Sequence, residues 1–146
     1  MMKNEILNVS DLILLDTHVL LWAILEPSKL SKTVKQYISV AQQNKLLLLS
    51  SISLWEIAML EQKKRIDIRQ PLKTFLESII NIQGLSIKDI SVEIAVESNL
   101  LSDGFHNDPA DRLIVATAKY YNATLLTRDQ KILLWAEQRA IKFLKV

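Results

Sequence analysis

The sequence predicts an α/β domain whose mostly parallel central sheet is sandwiched between helices. Short apolar runs alternate along the chain with stretches whose apolar residues recur at helical spacing, a pattern typical of this class. The length of 146 residues suits about one domain, and no internal repeat or interdomain linker interrupts it. We therefore expect residues 1–146 to form one domain, with residues 1–10 as a flexible lead.

Strands are predicted at five apolar segments. Residues 12–15, 46–49 and 123–126 are bounded by polar residues and are too short for independent helices, which favours buried parallel strands. Residues 85–90 form a fourth candidate. Residues 141–146 form a fifth, and the lysines within it favour a place at the edge of the sheet.

Amphipathic helices are predicted between these strands, because apolar residues recur at positions i, i+3, i+4 and i+7. The four segments with this pattern are residues 34–41, 72–80, 92–100 and 108–120. Ser31 is a suitable N-cap for the first of them, and Pro71 suits the first turn of the second. Two Leu-rich helices, at residues 17–25 and 53–62, are candidates for a dimer surface or a partner groove.

The composition excludes several classes of protein. Without cysteine the chain cannot use thiol catalysis, Cys-ligated zinc or disulfides, which fits a reducing cytoplasm. With only two glycines it lacks the Gly-rich loops of P-loop and dinucleotide enzymes and the GxSxG turn of α/β-hydrolases. Its longest apolar run, residues 19–25, is too short to span a membrane. We expect a cytoplasmic protein without membrane association.

The charges are distributed unevenly along the chain. Two basic segments, residues 29–73 and 112–146, flank an acidic segment at residues 74–111. This distribution suits a polyanionic partner, provided that a cation neutralises some of the acids. Solvated faces of surface helices would explain the same distribution, so both interpretations stay open.

Carboxylates follow or approach the carboxyl ends of the predicted strands, where ligands gather in parallel α/β sheets. Asp16 follows the first strand, and Glu56 lies one helical turn beyond the serines that follow the second. Asp129 follows the strand at residues 123–126, and Asp111 opens the helix before that strand, with Asp108 beside it. Four separate segments can thus bring a carboxylate to one edge of the sheet.

Each of these acids also has an ordinary structural explanation. Asp16, Asp108 and Asp129 can each cap the helix that follows. Ser53 and Glu56 match the spacing of a capping box. Capping and ligand binding are compatible roles, and caps need not all be carboxylates.

Convergent carboxylates repel one another, and a shared divalent cation would relieve that repulsion. Oxygen ligands without cysteine favour Mg²⁺ or Mn²⁺ over zinc. Such an ion lowers the pKa of bound water and stabilises charge on a phosphate under attack. Phosphate-rich nucleic acid is therefore the favoured substrate class.

Four segments together resemble the PIN-domain ribonucleases, in particular the VapC-like toxins of bacterial toxin–antitoxin pairs. They are LLDTHVLLW at residues 14–22, SISLWEIA at residues 51–58, HNDPADRLIVA at residues 106–116 and LLTRD at residues 125–129. The resemblance implies a three-layer α/β/α domain and a Mg²⁺- or Mn²⁺-dependent endoribonuclease. It also implies a homodimer and an antitoxin partner that occupies the active-site groove.

The resemblance assigns roles to individual residues. The catalytic carboxylates that it implies are Asp16, Glu56, Asp111 and Asp129. Asp16 and Asp111 would ligate the metal directly, whereas Glu56 and Asp129 would bind directly or through water. Thr127 matches a hydroxyl that orients the site. Asp108 is an additional acid, either a helix cap or a supporting ligand.

Other residues near these motifs are weaker candidates. Arg112 and Arg128 adjoin the predicted site and are possible contacts for RNA phosphate. The tryptophans, Trp22, Trp55 and Trp135, are surrounded by apolar residues, which favours packing in the core or at a dimer face over base stacking.

Two alternative functions stay open. The chain could be a non-catalytic PIN-fold module that acts through protein pairing, although four intact acids without a metal would repel one another. It could also be a metal-free ribonuclease that uses His18 and His106 as its acid and base. A D-x-D phosphatase is disfavoured, because position 18 is histidine.

Overall fold

The computed structural model of the protein describes residues 10–101, 108–136 and 141–146. Within them, five strands form one parallel sheet in the order β3-β2-β1-β4-β5. The strands are β1 (Ile13–Leu15), β2 (Leu47–Ser50), β3 (Leu85–Lys88), β4 (Thr124–Thr127) and β5 (Phe143–Lys145). Residues 1–9 of the predicted lead, and His106, lie outside the described residues.

Helices connect the strands and cover both faces of the sheet. The seven α-helices of the described residues are α1 (Thr17–Leu25), α2 (Lys32–Gln43), α3 (Ile52–Gln62), α4 (Leu72–Ile80), α5 (Val92–Leu100), α6 (Pro109–Tyr121) and α7 (Gln130–Ala136). A short 3₁₀ helix, Pro27–Lys29, follows α1. In the part of the chain that the structure covers, no helix is long and apolar enough to cross a bilayer.

Alternation along the strands divides the core into two layers, because successive side chains of a strand point to opposite faces. Ile13 and Leu15 of β1 pack with buried residues of α1 to α4, among them Phe75 and Ile79. Leu14, between them, packs on the other face with residues of α6 and α7. Both faces of the sheet are therefore buried under helices, as parallel sheets require. The predicted three-layer α/β/α fold is confirmed.

The predicted strands all occur, with boundaries that differ by one or two residues. The strand predicted at residues 85–90 ends at Lys88, and the run at residues 141–146 contains the predicted edge strand. Ser31 caps α2 as predicted, because its hydroxyl accepts a 3.1 Å hydrogen bond from Val34 N. Pro71 precedes α4 as its N-cap residue instead of occupying the first turn.

One predicted cap is wrong. The Ser53–Glu56 capping box does not form, because α3 begins two residues earlier, with Ser51 at its N-cap position. Ser53 is instead buried inside the first turn, where its Oγ lies 2.8 Å from Thr17 Oγ1. The Glu56 carboxylate consequently does not cap α3.

Candidate active site

Asp16 directly follows β1, the central strand, and so lies in the middle of the row formed by the carboxyl ends of the parallel strands. Its backbone N–H donates to the carbonyl of Leu126 in β4 over 3.0 Å, which fixes the residue beside β4, a neighbour of the central strand β1. Its Oδ1 accepts a 2.8 Å hydrogen bond from Thr17 N and so caps α1, as predicted. Only 6% of Asp16 is exposed. Burial raises the pKa of its carboxyl, and the hydrogen bond that it accepts from Thr127 lowers the pKa by less, so the net shift is upward.

Thr127, the last residue of β4, links two of the candidate acids. Its Oγ1 donates to Asp16 Oδ2 over 2.7 Å and accepts a 3.0 Å hydrogen bond from Asp129 N. The hydroxyl is fully buried, so both partners are held in a fixed relation to it. The contact places Thr127 where it can orient Asp16, and its expected role in the site stays a prediction.

Asp129 begins the turn from β4 into α7. Its Oδ1 accepts hydrogen bonds from Lys131 N (2.8 Å) and Ile132 N (3.2 Å), which is the geometry of a helix cap. The predicted cap is therefore present. The same carboxylate lines an open cleft of about 480 Å³ together with Asp108, Asp111, Gln130 and Lys131.

Asp111 lies in the first turn of α6, three residues after the helix cap. Asp108 caps that helix as predicted, because its Oδ1 accepts a 3.1 Å hydrogen bond from Asp111 N. The pKa of the Asp111 carboxyl is raised to about 8, chiefly by burial and then by the charges of four neighbouring acids, which are, in order of effect, Asp16, Asp108, Asp129 and Glu56. Five acids from four segments thus lie within electrostatic range of one another.

Glu56 completes the cluster from α3. Its Oε1 is buried and has no hydrogen-bond partner in the described parts of the chain. Burial raises the pKa of its carboxyl, a hydrogen bond with Thr17 opposes that rise, and Asp16 adds to it. A buried carboxylate oxygen without a partner is costly, so this atom is available to a ligand.

The donor set can be compared with the needs of a divalent cation. Among the described residues, no three Asp, Glu or His side chains are already arranged as a metal-binding group. Mg²⁺ commonly binds through one or two carboxylates and keeps several waters, so it does not require such a preformed group. Hard carboxylate oxygens, mutual repulsion and the partnerless Glu56 Oε1 fit such an ion. Asp16 and Asp111 are the residues that would hold it.

The two arginines beside the site bind backbone carbonyls. Arg112 Nε donates to Ser98 O over 2.9 Å. Arg128 Nε donates to Val146 O (2.8 Å), and its Nη2 donates to Lys29 O (2.6 Å). Their predicted contact with RNA phosphate stays a prediction.

The three tryptophans occupy different environments. Trp135 is buried in the layer of α6 and α7. Trp22 is half-buried against the other layer, and Trp55 is 58% exposed on α3. Core packing is thus confirmed for Trp135, whereas for the exposed Trp55 a place at a dimer face stays a prediction.

Two supporting residues were missed by reasoning from the sequence. Thr17 and Ser53 are both fully buried, and their hydroxyls link the start of α1 to the first turn of α3. This link connects the turn that carries Asp16 to the helix that carries Glu56. The position of Thr17 directly after Asp16 was the available signal, but only the packing of the two helices brings Ser53 to it.

The sequence is similar to known proteins of one family. Residues 13–136 match the PIN domain family. The chain is 33% identical over 120 residues to Ribonuclease VapC22 of Mycobacterium tuberculosis, covering 82% of this chain and 88% of that protein.

Solved structures share the fold. VapBC2 from Rickettsia felis, bound to a DNA fragment from its promoter, superposes with a TM-score of 0.66 at 19% identity, covering 92% of this chain and 98% of the other. A toxin–antitoxin complex from Klebsiella pneumoniae gives a TM-score of 0.54 at 24% identity, covering 82% and 88%. The family match covers most of the sequence, and the carboxylates lie at the carboxyl ends of the parallel strands. The chain therefore belongs to the PIN-domain family.

Proposed function

We propose that the protein is a Mg²⁺- or Mn²⁺-dependent endoribonuclease and the toxin of a toxin–antitoxin pair. The observation that carries the proposal is the convergence of five acids from four segments: three line one cleft, Thr127 links Asp16 to the turn of Asp129, and Glu56 has a buried oxygen without a partner. The raised pKa of Asp111, to about 8, agrees with this crowding. Burial and crowding of carboxylates make it unfavourable for them to lose their protons. Such sites are typical of catalysis or metal binding. The similarity to Ribonuclease VapC22 supports RNA as the substrate.

The side chains of this site have separable tasks. Asp16 is buried and oriented by Thr127, so its free lone pairs have a fixed direction. Asp111 keeps a proton at neutral pH while no cation is present, because its pKa is about 8. Glu56 presents a buried oxygen without a partner, and Asp129 is held by the start of α7.

A bound divalent cation would neutralise these carboxylates and supply the Lewis acidity that hydrolysis of a phosphodiester needs. Asp16 and Asp111 would hold it, and Glu56 and Asp129 would contact it directly or through water. With the acids neutralised, the basic segments at residues 29–73 and 112–146 would dominate the charge of the protein and attract RNA.

An antitoxin partner belongs to the same proposal. The structural relatives include a toxin–antitoxin complex from Klebsiella pneumoniae. A homodimer and a location in the cytoplasm stay predictions from the sequence. The alternative, a non-catalytic module that acts through protein pairing, is disfavoured because it gains nothing from the buried, partnerless oxygen of Glu56.

Cleavage of a mixed pool of small RNAs tests the proposal. The purified protein is assayed with Mg²⁺, with Mn²⁺ and with EDTA, alongside Asp111→Asn and the control Glu93→Gln, which removes an exposed acid of α5. We expect cleavage that requires the cation, disappears in Asp111→Asn and persists in Glu93→Gln. Cleavage that survives both EDTA and Asp111→Asn would overturn the metal mechanism. A folded protein that cuts no RNA while it binds an antitoxin would favour the non-catalytic alternative.

A further inference from the structure

A second cleft, of about 270 Å³, opens between α1 and the segment that follows α3. We call it the His18 cleft after His18, which lines it and follows Asp16 by two residues in the sequence. Leu21, Trp22 and Leu25 of α1 contribute further lining, and Arg65 and Arg69 line it from the segment after α3. None of these arginines or apolar side chains belongs to the carboxylate cluster.

The His18 cleft adjoins the candidate active site. His18 lies in the first turn of α1, two residues after Asp16, whose Oδ1 accepts from Thr17 N and caps that helix. The same histidine lines the cleft. The cleft therefore adjoins the turn that carries a candidate metal ligand.

The aromatic part of the cleft is held rigidly. The guanidinium carbon of Arg128 lies 4.2 Å from the centroid of the Trp22 ring, and that guanidinium is fixed by two backbone carbonyls, Lys29 O and Val146 O. The ring of His18 lies 6.1 Å from the Trp22 ring, tilted by 51°. The Trp22 ring is thus held in place by Arg128, and the tilted His18 ring beside it offers a second aromatic surface to the cleft. Aromatic side chains of this kind stack on nucleobases without a requirement for sequence.

The charges around the cleft favour an anion. Arg65 makes no ion pair within the described ranges of the chain. Arg69 pairs with Asp67 at 3.6 Å, but the two side chains are 87% and 79% exposed, so that pair is weak and can be exchanged for a phosphate. The other acid of the lining, Glu26, is already paired with a lysine of the 3₁₀ helix.

We propose that the His18 cleft binds one unpaired nucleotide of the RNA, adjacent to the phosphate that is cleaved. The base lies against the aromatic surface, and Arg65 and Arg69 bind its phosphate. The inference rests on the proposed ribonuclease function. The volume of about 270 Å³ lies just below the range of pockets that hold drug-sized ligands, which begins at about 300 Å³, so the cleft suits one nucleotide and not several.

Binding of single nucleotides tests the cleft without any cleavage. The four 5′-nucleoside monophosphates are titrated in EDTA into the full-length protein, and NMR follows the His18 ring and the Trp22 indole N–H. The test variant is Arg65→Gln/Arg69→Gln. The matched control is Lys63→Gln/Lys73→Gln, which removes two exposed charges that do not line the cleft.

We expect both NMR signals to shift in the wild type and in the control. The affinity for the nucleotides should be about tenfold lower in the arginine variant, which is the effect expected from the loss of a charge-assisted hydrogen bond. In RNA cleavage the same variant would raise KM about tenfold at unchanged kcat. Equal weakening in both double variants would overturn the inference, since it would indicate general electrostatics. So would nucleotides that leave both signals unmoved, or an acidic peptide that shifts them when nucleotides do not.

The two proposals fail separately. A wild type that binds nucleotides in the cleft but cuts no RNA with Mg²⁺ or Mn²⁺ would contradict the ribonuclease proposal alone. A wild type that cuts RNA while nucleotides leave the His18 and Trp22 signals unmoved would contradict the nucleotide cleft alone.

Discussion

The Thr127 hydroxyl donates a 2.7 Å hydrogen bond to Asp16 Oδ2, although 111 positions separate the two residues in the chain. The same hydroxyl accepts from the backbone N–H of Asp129. One buried oxygen therefore sets the orientation of a carboxylate after β1 and the path of the chain after β4. Strands β1 and β4 cannot shift relative to each other without breaking this contact.

Replacement of Thr127 tests that relationship. Thr127→Val keeps the shape of the side chain and removes the hydroxyl, so Asp16 loses its donor and Asp129 N loses its acceptor. We expect kcat for RNA cleavage to fall by about 10–100-fold, the usual cost of losing a group that supports a metal ligand. Thr127→Ser should restore most of the activity, since it keeps the oxygen. Equal activity of the valine and serine variants would contradict the orienting role.

Stability should depend on pH through Asp111. Its pKa is about 8 in the folded chain, against an ordinary value of 3.8. Between these values the unfolded chain releases a proton that the folded chain keeps, so the free energy of unfolding falls as pH rises and levels off above about pH 8. Asp111→Asn should therefore have a higher Tm than the wild type at pH 8 without divalent cations.

Thermal unfolding from pH 4 to pH 9 in EDTA measures this effect. The Tm difference between Asp111→Asn and the wild type should shrink towards pH 4, where the wild-type carboxyl is protonated in both states. Glu93→Gln serves as the control, because its carboxylate is exposed on α5. A Tm difference that is constant over this range would show that Asp111 does not carry the dependence.

A divalent cation should reverse this loss of stability. At pH 8, Mn²⁺ at about 100 times its Kd would add about 2.7 kcal/mol to the free energy of unfolding, or about 5–10 °C in Tm for a chain of this size. The gain should be smaller at pH 5, where protons compete for the carboxylates. Asp16→Asn should abolish it, and an unchanged gain in that variant would exclude Asp16 as a ligand.

Replacement of Arg128 can distinguish a structural role of this residue from a contact with RNA phosphate. Its guanidinium donates to two backbone carbonyls and lies over Trp22, so Arg128→Gln should lower the free energy of unfolding by about 1–3 kcal/mol. The salt dependence of RNA binding should keep its slope. A slope reduced by about 0.7, the value for one phosphate contact on a single strand, would instead support the phosphate role predicted from the sequence.

The strands and the position of the carboxylates were predictable from the sequence, because both depend on local patterns. Apolar runs of four residues have few alternatives to buried parallel strands, and Asp16, which directly follows β1, lies at the carboxyl end of that strand. Caps at Asp16, Asp108 and Asp129 were predictable for the same reason, since a cap involves neighbours within three residues.

Contacts between distant segments were not predictable. The capping box at Ser53 failed because α3 starts at Ile52 and its first turn packs against Thr17 of another helix. The carbonyls that hold Arg128 come from the 3₁₀ helix and from the last residue of the chain. Nothing in the local sequence around either residue specifies these partners, because they depend on the relative placement of whole elements.

The order of the strands in the sheet affects when the carboxylate cluster can form during synthesis. The central strand, β1, is made early, but its neighbour β4, which supplies Thr127 and precedes Asp129, is made after β2 and β3. A ribosome-bound chain that stops short of residue 127 therefore contains Asp16, Glu56 and Asp111 without the contact that orients the first of them. Pairing of such high contact order is also slow. Nascent chains of this protein should consequently lack the assembled site until β4 has left the ribosome.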